Sequence, residues 1–210
     1  EKTSQHGIVL IFDEVVTGFR LAYGSAQEAY GVTPDLCTLG KIIGGGLPLA
    51  AIAGRAEIMR HFDKDAVGVD GFTFQIGTLS GNPLAAVAGL KTLEILRREN
   101  SYETLHATGK RLMAAVSDPL TAHGIAHQIV GAPVLFDVIF TATPVHNYRD
   151  MQTGDARLAG IFNKAVRERG ILKPAAKLYP HLALSEADLQ ETEAAFTYAA
   201  GQVAAAIAAH

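Results

Sequence analysis

Short apolar runs separated by helix-like segments dominate the first half of the chain. The first run is residues 8–12 (Ile-Val-Leu-Ile-Phe), and it predicts a strand buried on both faces of a parallel sheet. Two later runs, Leu36–Leu39 and residues 49–54, predict further strands. Apolar residues recur at mostly helical spacing from Pro83 to about Arg98, which predicts a long helix. Strands mixed with helices predict an α/β fold for this part of the chain.

The segments between these runs predict shorter elements. Residues 25–30 predict a short helix with Ser25 as its cap, because a serine hydroxyl accepts a hydrogen bond from a free N–H group of the first turn. Residues 56–61 predict another short helix. Residues 63–75 mix glycines with polar and apolar side chains, so we expect an irregular loop there, long enough to act as a lid.

The second half of the chain has the pattern of a smaller α+β domain. Helices are expected at residues 101–121, 155–169 and 185–209, the last capped by Ser185, and short strands at 125–130 and 134–140. No low-complexity linker separates the two halves, and we place the boundary near Asn100. Residues 1–100 are then part of a larger, mainly parallel-sheet domain, and residues 101–210 form a small C-terminal domain.

Composition narrows the function classes. The chain has 210 residues of which 49% are hydrophobic, enough to bury a core in one or two domains. A net charge of −3 gives no electrostatic case for binding nucleic acid or an anionic membrane, and the apolar stretches are too short to span a bilayer. Cys37 is the only cysteine, so no intrachain disulfide can form. We therefore expect a soluble protein of a reducing compartment, the cytoplasm, with Cys37 as a buried strand thiol.

Asp13 and Lys41 carry the strongest candidate chemistry. Asp13 follows the first apolar run, and ligands bind at the carboxyl ends of strands in open α/β sheets. A carboxylate there can keep a pyridine nitrogen protonated. Lys41 lies between apolar residues and glycines, which lowers the cost of its neutral form and favours attack on a carbonyl carbon to give a Schiff base. A structural position near a turn explains Lys41 equally well.

Residues 77–83 (Gly-Thr-Leu-Ser-Gly-Asn-Pro) precede the long predicted helix. Small residues, a hydroxyl group and backbone amides at a helix N-terminus can cradle a phosphate group. A turn and helix cap explain the same residues, and the glycines alone favour that simpler interpretation.

Three segments, taken together, match the motifs of one family. They are residues 10–20 (Leu-Ile-Phe-Asp-Glu-Val-Val-Thr-Gly-Phe-Arg), 40–48 (Gly-Lys-Ile-Ile-Gly-Gly-Gly-Leu-Pro) and 77–85 (Gly-Thr-Leu-Ser-Gly-Asn-Pro-Leu-Ala). The chain resembles class III pyridoxal 5′-phosphate (PLP) enzymes of fold type I, which include ω- and β-amino acid aminotransferases and glutamate-1-semialdehyde aminomutase. The resemblance covers only the C-terminal half of such an enzyme. It implies that a phosphate loop, an aromatic residue over the cofactor ring and further strands belong to an upstream half.

The resemblance also implies roles for four residues. Asp13 would pair with the pyridine nitrogen of PLP, and Val15 would pack against the cofactor ring. Lys41 would form the Schiff base with the cofactor aldehyde. Thr78 would reach the phosphate of the cofactor in the neighbouring subunit, so the resemblance implies a homodimer with shared active sites.

The resemblance implies transfer of an amino group from an amino acid or amine donor to an oxo acid acceptor. The sequences of residues 77–83 and 148–170 are most similar to the aminomutase-like branch. Against that branch, residues 63–75 form a longer segment than the mutase lid, and residues 173–180 lack its expected glutamate. Aminotransferase activity is therefore the first hypothesis, and intramolecular transfer of the amino group by an aminomutase is the second.

Two other function classes fit parts of the sequence. Residues 8–14 also have the apolar strand followed by Asp-Glu that is found in magnesium-dependent ATPases, but such enzymes need an upstream Gly-Lys-Ser or Gly-Lys-Thr loop, and Lys41 lies downstream and is followed by isoleucine. A non-catalytic fragment or dimerising module that keeps the fold is the other alternative.

Several charged residues have weaker claims to a functional role. Arg20, Lys173 and Lys177 are candidate carboxylate binders, although a solvated or salt-bridged role is the simpler expectation for each. His127, His146 and His181 lack the spacing of metal ligands, and we expect packing or surface roles for them.

Overall fold

A computed structural model describes residues 1–209, which form two compact units. The first unit spans Glu1–Tyr102, and the second begins at Glu103. Strands and helices alternate in the first unit, as the apolar runs predict. The assignment of these units to a cofactor domain and a small C-terminal domain stays a prediction.

The first unit contains a three-stranded sheet in the order β1-β2-β3. Strand β1 (Ile11–Glu14) runs parallel to β2 (Leu36–Leu39), and β3 (Ala51–Gly54) runs antiparallel to β2. The predicted strand at Leu36–Leu39 is confirmed, and Cys37 on it is a buried free thiol, as expected. Because β1 and β2 are parallel, their carboxyl ends meet at one edge of the sheet.

Short helices and two 3₁₀ turns connect the strands of the first unit. The helices are α1 (Lys2–Gln5), α2 (Ser25–Tyr30), α3 (Ala56–Met59), α4 (Lys64–Gly71) and α5 (Pro83–Leu96), and the 3₁₀ turns are Lys41–Gly44 and Arg60–Phe62. Helix α5 begins where its sequence predicts, because Asn82 Oδ1 accepts hydrogen bonds from the N–H groups of Leu84 and Ala85 while Pro83 occupies the first turn.

The prediction that the first strand is buried on both faces is wrong for this chain. The strand begins only at Ile11, and the side chains of Ile8, Val9 and Ile11 are more than half exposed. Strand β1 is an edge strand of the sheet. A strand is buried on both faces only where other layers cover both, and residues 1–209 cover less than half of the surface of these three residues.

Two local predictions in the first unit are also wrong. Ser25 is not the cap of α2; it is the first residue of the helix, has a φ of 69° and follows Gly24 at the cap position. Residues 63–75 are not an irregular loop throughout, because they contain α4. Asp63, the residue before the helix, caps its N-terminus by accepting a hydrogen bond from the N–H of Asp65. The helix bends at Gly68, where φ is 73°.

The second unit packs long helices with a two-stranded sheet. Helix α6 (Ser101–Ala122) begins at the end of the first unit, and β4 (Gln128–Ala132) pairs antiparallel with β5 (Leu135–Ile139). Helices α7 (Tyr148–Met151), α8 (Ala156–Glu168) and α9 (Glu186–Ala208) follow. These elements confirm the predicted α+β pattern, including the cap of α9 by Ser185, which forms a capping box with Asp188.

Aromatic side chains form the centre of the core of the second unit. The rings of Phe162 and Phe196 stack with their centroids 5.9 Å apart, and Phe140 lies 5.7 Å from Phe162. Phe136, Phe162 and Phe196 are almost completely buried. In the described part of the chain, no helix is both long and apolar enough to cross a membrane.

Candidate active site

Asp13 lies near the carboxyl end of β1, opposite Thr38 of β2 in the parallel register. Its Oδ1 accepts a hydrogen bond from the backbone N–H of Val15 at 3.1 Å and one from the Thr38 hydroxyl at 3.4 Å. Its Oδ2 accepts no hydrogen bond from residues 1–209. The exposed carboxylate therefore has one oxygen held by the protein and one available to a ligand.

Glu14 is a buried carboxylate that joins β1 to α2. Its residue surface is only 1% exposed. One oxygen, Oε2, accepts hydrogen bonds from the Thr17 hydroxyl at 3.0 Å and the backbone N–H of Ala26 at 2.7 Å, and Oε1 accepts one from the Gln27 side-chain amide at 3.0 Å. Three donors compensate the carboxylate for its lost hydration and fix the strand end between Asp13 and Val15.

Two further hydrogen bonds hold the loop that follows β1. The backbone N–H of Phe19 donates to Ser25 Oγ at 3.0 Å, and the Tyr102 hydroxyl donates to the carbonyl oxygen of Phe19 at 2.9 Å. Burial raises the pKa of Tyr102 to about 12, with smaller contributions from Tyr23 and Glu28, so its hydroxyl is a neutral donor at physiological pH. The loop carrying Val15 is therefore fixed at both ends.

Lys41 begins the 3₁₀ turn immediately after β2 and Gly40. Its φ of 48° lies in the left-handed region, which costs a residue with a Cβ on the order of 1 kcal/mol. Lys41 is exposed, and its amine makes no hydrogen bond or ion pair with any other residue that the structure describes. The amine is therefore available to a ligand at the same sheet edge as Asp13.

A cavity of about 920 Å³ lies at these strand ends. Its lining includes Val15, Thr38 and Leu39 from the strand ends, together with Gly77 and Ser80 from the segment before α5. Asp13, Lys41 and Thr78 are not lining residues. Asp13 is linked to the cavity by its hydrogen bond with Thr38, and Lys41 follows the lining residue Leu39 by two positions.

Val15 also contacts the backbone that leads into Lys41. A Cβ atom at Gly40 would lie 3.4 Å from Val15 Cγ1, so the valine side chain covers the peptide before the lysine. Of the four residues predicted for the site, the structure thus brings Asp13, Val15 and Lys41 to one sheet edge.

Thr78 lies in a tight turn that leads into α5. The N–H of Ser80 donates to the carbonyl of Gly77 at 2.9 Å, and the N–H of Asn82 donates to that of Leu79 at 3.1 Å. The segment therefore forms a turn and a helix cap, and its role in binding a phosphate group stays a prediction. The contact of Thr78 with a cofactor in a neighbouring subunit stays a prediction.

The chemistry of this edge fits a protonated pyridine ring with an aldehyde. The available oxygen of Asp13 can accept a hydrogen bond from a pyridinium nitrogen, and the unpaired amine of Lys41 can attack an aldehyde carbon. Val15 and Leu39, which lie between Asp13 and Lys41 in the sequence, both line the cavity. Their apolar side chains offer a surface for the ring.

Lys173, in the second unit, does not have the solvated or salt-bridged role expected for it. It is buried, and its Nζ donates hydrogen bonds to Asn163 Oδ1 and the carbonyl oxygen of Pro174, each at 2.9 Å. Burial lowers the pKa of Lys173, and the charge of Asp137 opposes that shift. The lysine fixes its own loop and has no amine hydrogen left over for a substrate carboxylate, because Ala175 O accepts the third at 3.4 Å.

No group of three or more histidine, cysteine, aspartate or glutamate side chains within residues 1–209 is arranged to hold a metal ion. His127 has a structural environment, because its ring nitrogens lie 2.9 Å from Ser117 Oγ and 2.8 Å from the carbonyl oxygen of Ile125. The packing role expected for His127 is confirmed.

Sequence reasoning missed two residues that build this site, Glu14 and Thr38. Side chains alternate along a strand, so Glu14 is on the opposite face of β1 from Asp13. This alternation can predict that Glu14 is buried, but it cannot predict which groups donate hydrogen bonds to its carboxylate. Thr38 has a signal only once β1 and β2 are paired in register, because its partner Asp13 lies 25 positions earlier in the chain.

Comparison with known proteins places this geometry in a family. Residues 1–199 match the class-III aminotransferase family. An ω-transaminase from Sphaerobacter thermophilus is similar to the chain, with 32% identity and a TM-score of 0.84 over 96% of this chain and 46% of its own. A β-phenylalanine aminotransferase from Variovorax paradoxus is 29% identical, with a TM-score of 0.80 over 93% of this chain and 44% of its own.

A transaminase solved with PLP bound also shares the fold, with 25% identity and a TM-score of 0.84 over 97% of this chain and 46% of its own. The chain thus spans about half the length of the solved structures it matches. Class III aminotransferases are PLP-dependent, in agreement with the cofactor that the sequence implies. On its match over residues 1–199, the chain belongs to the class III aminotransferase family.

Proposed function

We propose that this chain contributes the cofactor-holding part of a PLP-dependent aminotransferase that moves an amino group from an amino acid or amine to an oxo acid. The observation that carries the proposal is the meeting of Asp13 and Lys41 at one sheet edge, the first with an available oxygen and the second with an unpaired amine. Family membership and the solved transaminases support it.

In this proposal each residue has a distinct task. Asp13 keeps the pyridine nitrogen protonated, so that the ring withdraws electrons from the bond being broken, which is the chemistry that PLP supplies when bound. Lys41 would attach the cofactor through its amine, and the same amine, when free, would carry the proton of the substrate carbon. Val15 covers one face of the ring. Glu14 and Thr38 hold the strand ends that carry Asp13 and Lys41.

We further propose a homodimer in which Thr78 contacts the phosphate of the cofactor bound by the partner subunit. The proposal is supported by the position of Thr78, which is exposed in the turn that leads into α5. The hydroxyl groups of Thr78 and Ser80 lie in this turn, beside the N-terminus of the helix. Sedimentation of the chain with and without PLP tests this part of the proposal. A monomer at every concentration with bound PLP would contradict it.

Attachment of the cofactor is tested by incubating the purified chain with PLP, reducing with borohydride and locating the added mass by peptide mapping. We expect it on Lys41, and we expect its loss in Lys41→Ala. Lys64→Ala is the matched control, because Lys64 is another exposed lysine in the same unit, outside the cavity lining. Attachment that survives in Lys41→Ala would overturn the assignment of Lys41.

An aminomutase of the glutamate-1-semialdehyde type is the second candidate, and the sequence of residues 77–83 favours it. The two reactions leave different products. An aminotransferase releases an oxo product and leaves the amino group on the cofactor, whereas an aminomutase returns the amino group to the same substrate. Incubation with an amine donor and a separate oxo acid, followed by chromatography of both products, distinguishes them. Attachment of PLP without either product would instead support a non-catalytic or incomplete piece.

A further inference from the structure

The 3₁₀ turn that begins with Lys41 packs against α5 at two glycines, Gly45 at the end of the turn and Gly89 in the helix. Gly89 of α5 is buried, and a methyl group there would overlap the carbonyl oxygen of Ile43 and lie 2.9 Å from Leu49 Cδ2. From the other side, a methyl group at Gly45 would lie 2.7 Å from the carbonyl oxygen of Ala88. Backbone therefore packs directly against backbone where the turn meets the helix.

The same turn holds Lys41 in its left-handed conformation. The N–H of Ile43 donates to the carbonyl of Gly40 at 3.3 Å, and the N–H of Gly45 donates to that of Ile42 at 3.0 Å. The first bond spans Lys41, and the second continues the turn to Gly45. The carbonyl of Ile43 that touches Gly89 lies two residues beyond Lys41. A conformation that costs free energy persists only when its surroundings impose it.

We propose that Gly89 is a positioning residue for Lys41. The close approach of α5 at Gly89 fixes the carbonyl of Ile43, which fixes the turn, and the turn directs the lysine amine towards the cofactor. Glycine in a helix interior destabilises the helix relative to alanine, so Gly89 needs a reason of this kind. The inference rests on the proposed function in taking Lys41 as the attachment point of PLP.

The experiment compares Gly89→Ala with Gly201→Ala in the full chain. Both positions lie inside long helices, but a methyl group at Gly201 would meet no atom within 4 Å. Hydrogen–deuterium exchange of residues 41–47, the segment that contains the turn, is measured without cofactor. We expect about tenfold faster exchange in Gly89→Ala, because overpacking shifts backbone at the contact, and unchanged exchange in Gly201→Ala.

A second measurement follows attachment of PLP to Lys41 in the same proteins. We expect Gly89→Ala to attach PLP about tenfold more weakly and to shift the pH midpoint of the absorbance of the bound cofactor, whereas Gly201→Ala behaves as the unmodified chain. Unchanged exchange and unchanged attachment in Gly89→Ala would overturn the inference. If the unmodified chain attaches no PLP, the proposed function fails, and the exchange of residues 41–47 still decides whether Gly89 controls the turn.

Circular dichroism checks that Gly89→Ala is folded. If it is not, Ile43→Val replaces it, because that change keeps the Ile43 carbonyl and loosens the packing of the turn that carries it, without adding an atom. Ile43 is buried, so its truncation leaves a gap at the turn. Faster exchange of residues 41–47 in Ile43→Val supports the inference, and exchange equal to that of the unmodified chain overturns it.

Discussion

The buried carboxylate of Glu14 accepts the backbone N–H of Ala26 at 2.7 Å, across twelve positions of the chain. This bond fastens the end of β1 to the first turn of α2, on the opposite side of the strand from Asp13. Two neighbouring acidic residues therefore serve different purposes. Asp13 offers an oxygen to a ligand, whereas Glu14 is fully occupied by the protein.

Replacing Glu14 by Ala leaves the N–H of Ala26 and the amide of Gln27 without their acceptor. We expect the free energy of unfolding to fall by about 2–4 kcal/mol, because hydrogen bonds to a buried carboxylate are among the strong ones. Urea denaturation measures the loss. Glu99→Ala is the control in the same unit, where the carboxylate is exposed and makes no hydrogen bond with the described residues, and we expect a change below about 0.5 kcal/mol.

Asp13→Asn separates ligand binding from stability. The carboxylate is exposed, so we expect a change in stability below about 0.5 kcal/mol. Binding of PLP weakens by about tenfold or more, because an asparagine oxygen no longer holds a positive pyridinium nitrogen. Absorbance titration with PLP measures the affinity. Asp118→Asn, an exposed aspartate in α6, controls for the loss of one negative charge, and equal weakening in both variants would refute the role of Asp13.

The backbone conformation of Lys41 predicts an opposition between stability and function. Glycine adopts a φ of 48° without the steric cost that a Cβ brings. We therefore expect Lys41→Gly to unfold with a free energy about 1 kcal/mol higher than Lys41→Ala, while neither variant attaches PLP. Thermal and urea unfolding of the two variants measure the difference. Lys41→Ala that is as stable as Lys41→Gly would show that the turn imposes no cost on the lysine.

We expect an ion pair between α6 and α9 to contribute to the acid unfolding of the second unit. Arg111 donates to Glu186 at 2.7 Å and, with a smaller contribution from Gln190, lowers the pKa of Glu186 to about 2. A carboxyl with a depressed pKa stabilises the fold above its ordinary pKa of 4.5, and that contribution is lost as the pH falls towards 2.

Arg111→Gln weakens this dependence of stability on pH, because it removes the largest cause of the lowered pKa of Glu186. We expect the slope of unfolding free energy against pH between about 4.5 and 2 to be shallower in the variant than in the unmodified chain. Arg157→Gln, at an exposed position of α8, is the control and keeps the slope. Salt reduces the effect as well, since the paired glutamate is exposed.

The sequence predicts those features of the fold that depend on neighbouring residues. Asn82 and Pro83 mark the start of α5, and Ser185 marks the start of α9, because a cap requires only a polar side chain beside the first turn. The prediction for Ser25 is wrong because its hydroxyl accepts the N–H of Phe19 from outside the helix. The donors of a side chain cannot be read from local pattern when the contacts are set by tertiary structure.

The candidate site divides in the same way. The motifs around Asp13 and Lys41 are recognisable as short segments, whereas the anchoring of Glu14 and the contact of Gly89 exist only after β1, α2 and α5 have been assembled. The prediction that residues 8–12 are buried depends on their apolar composition alone. Composition cannot predict which faces of a strand are covered by other elements of the same stretch of chain.

The hydrogen bond from Tyr102 to Phe19 also has a consequence for synthesis of the protein. The two residues are 83 positions apart, so the carbonyl of Phe19 is synthesised 83 residues before its donor. At 5–20 residues per second this interval is roughly 4–17 s. During that time the loop next to Asp13 lacks one of its hydrogen bonds, and a nascent chain completes the candidate site only after the first turn of α6 has been translated.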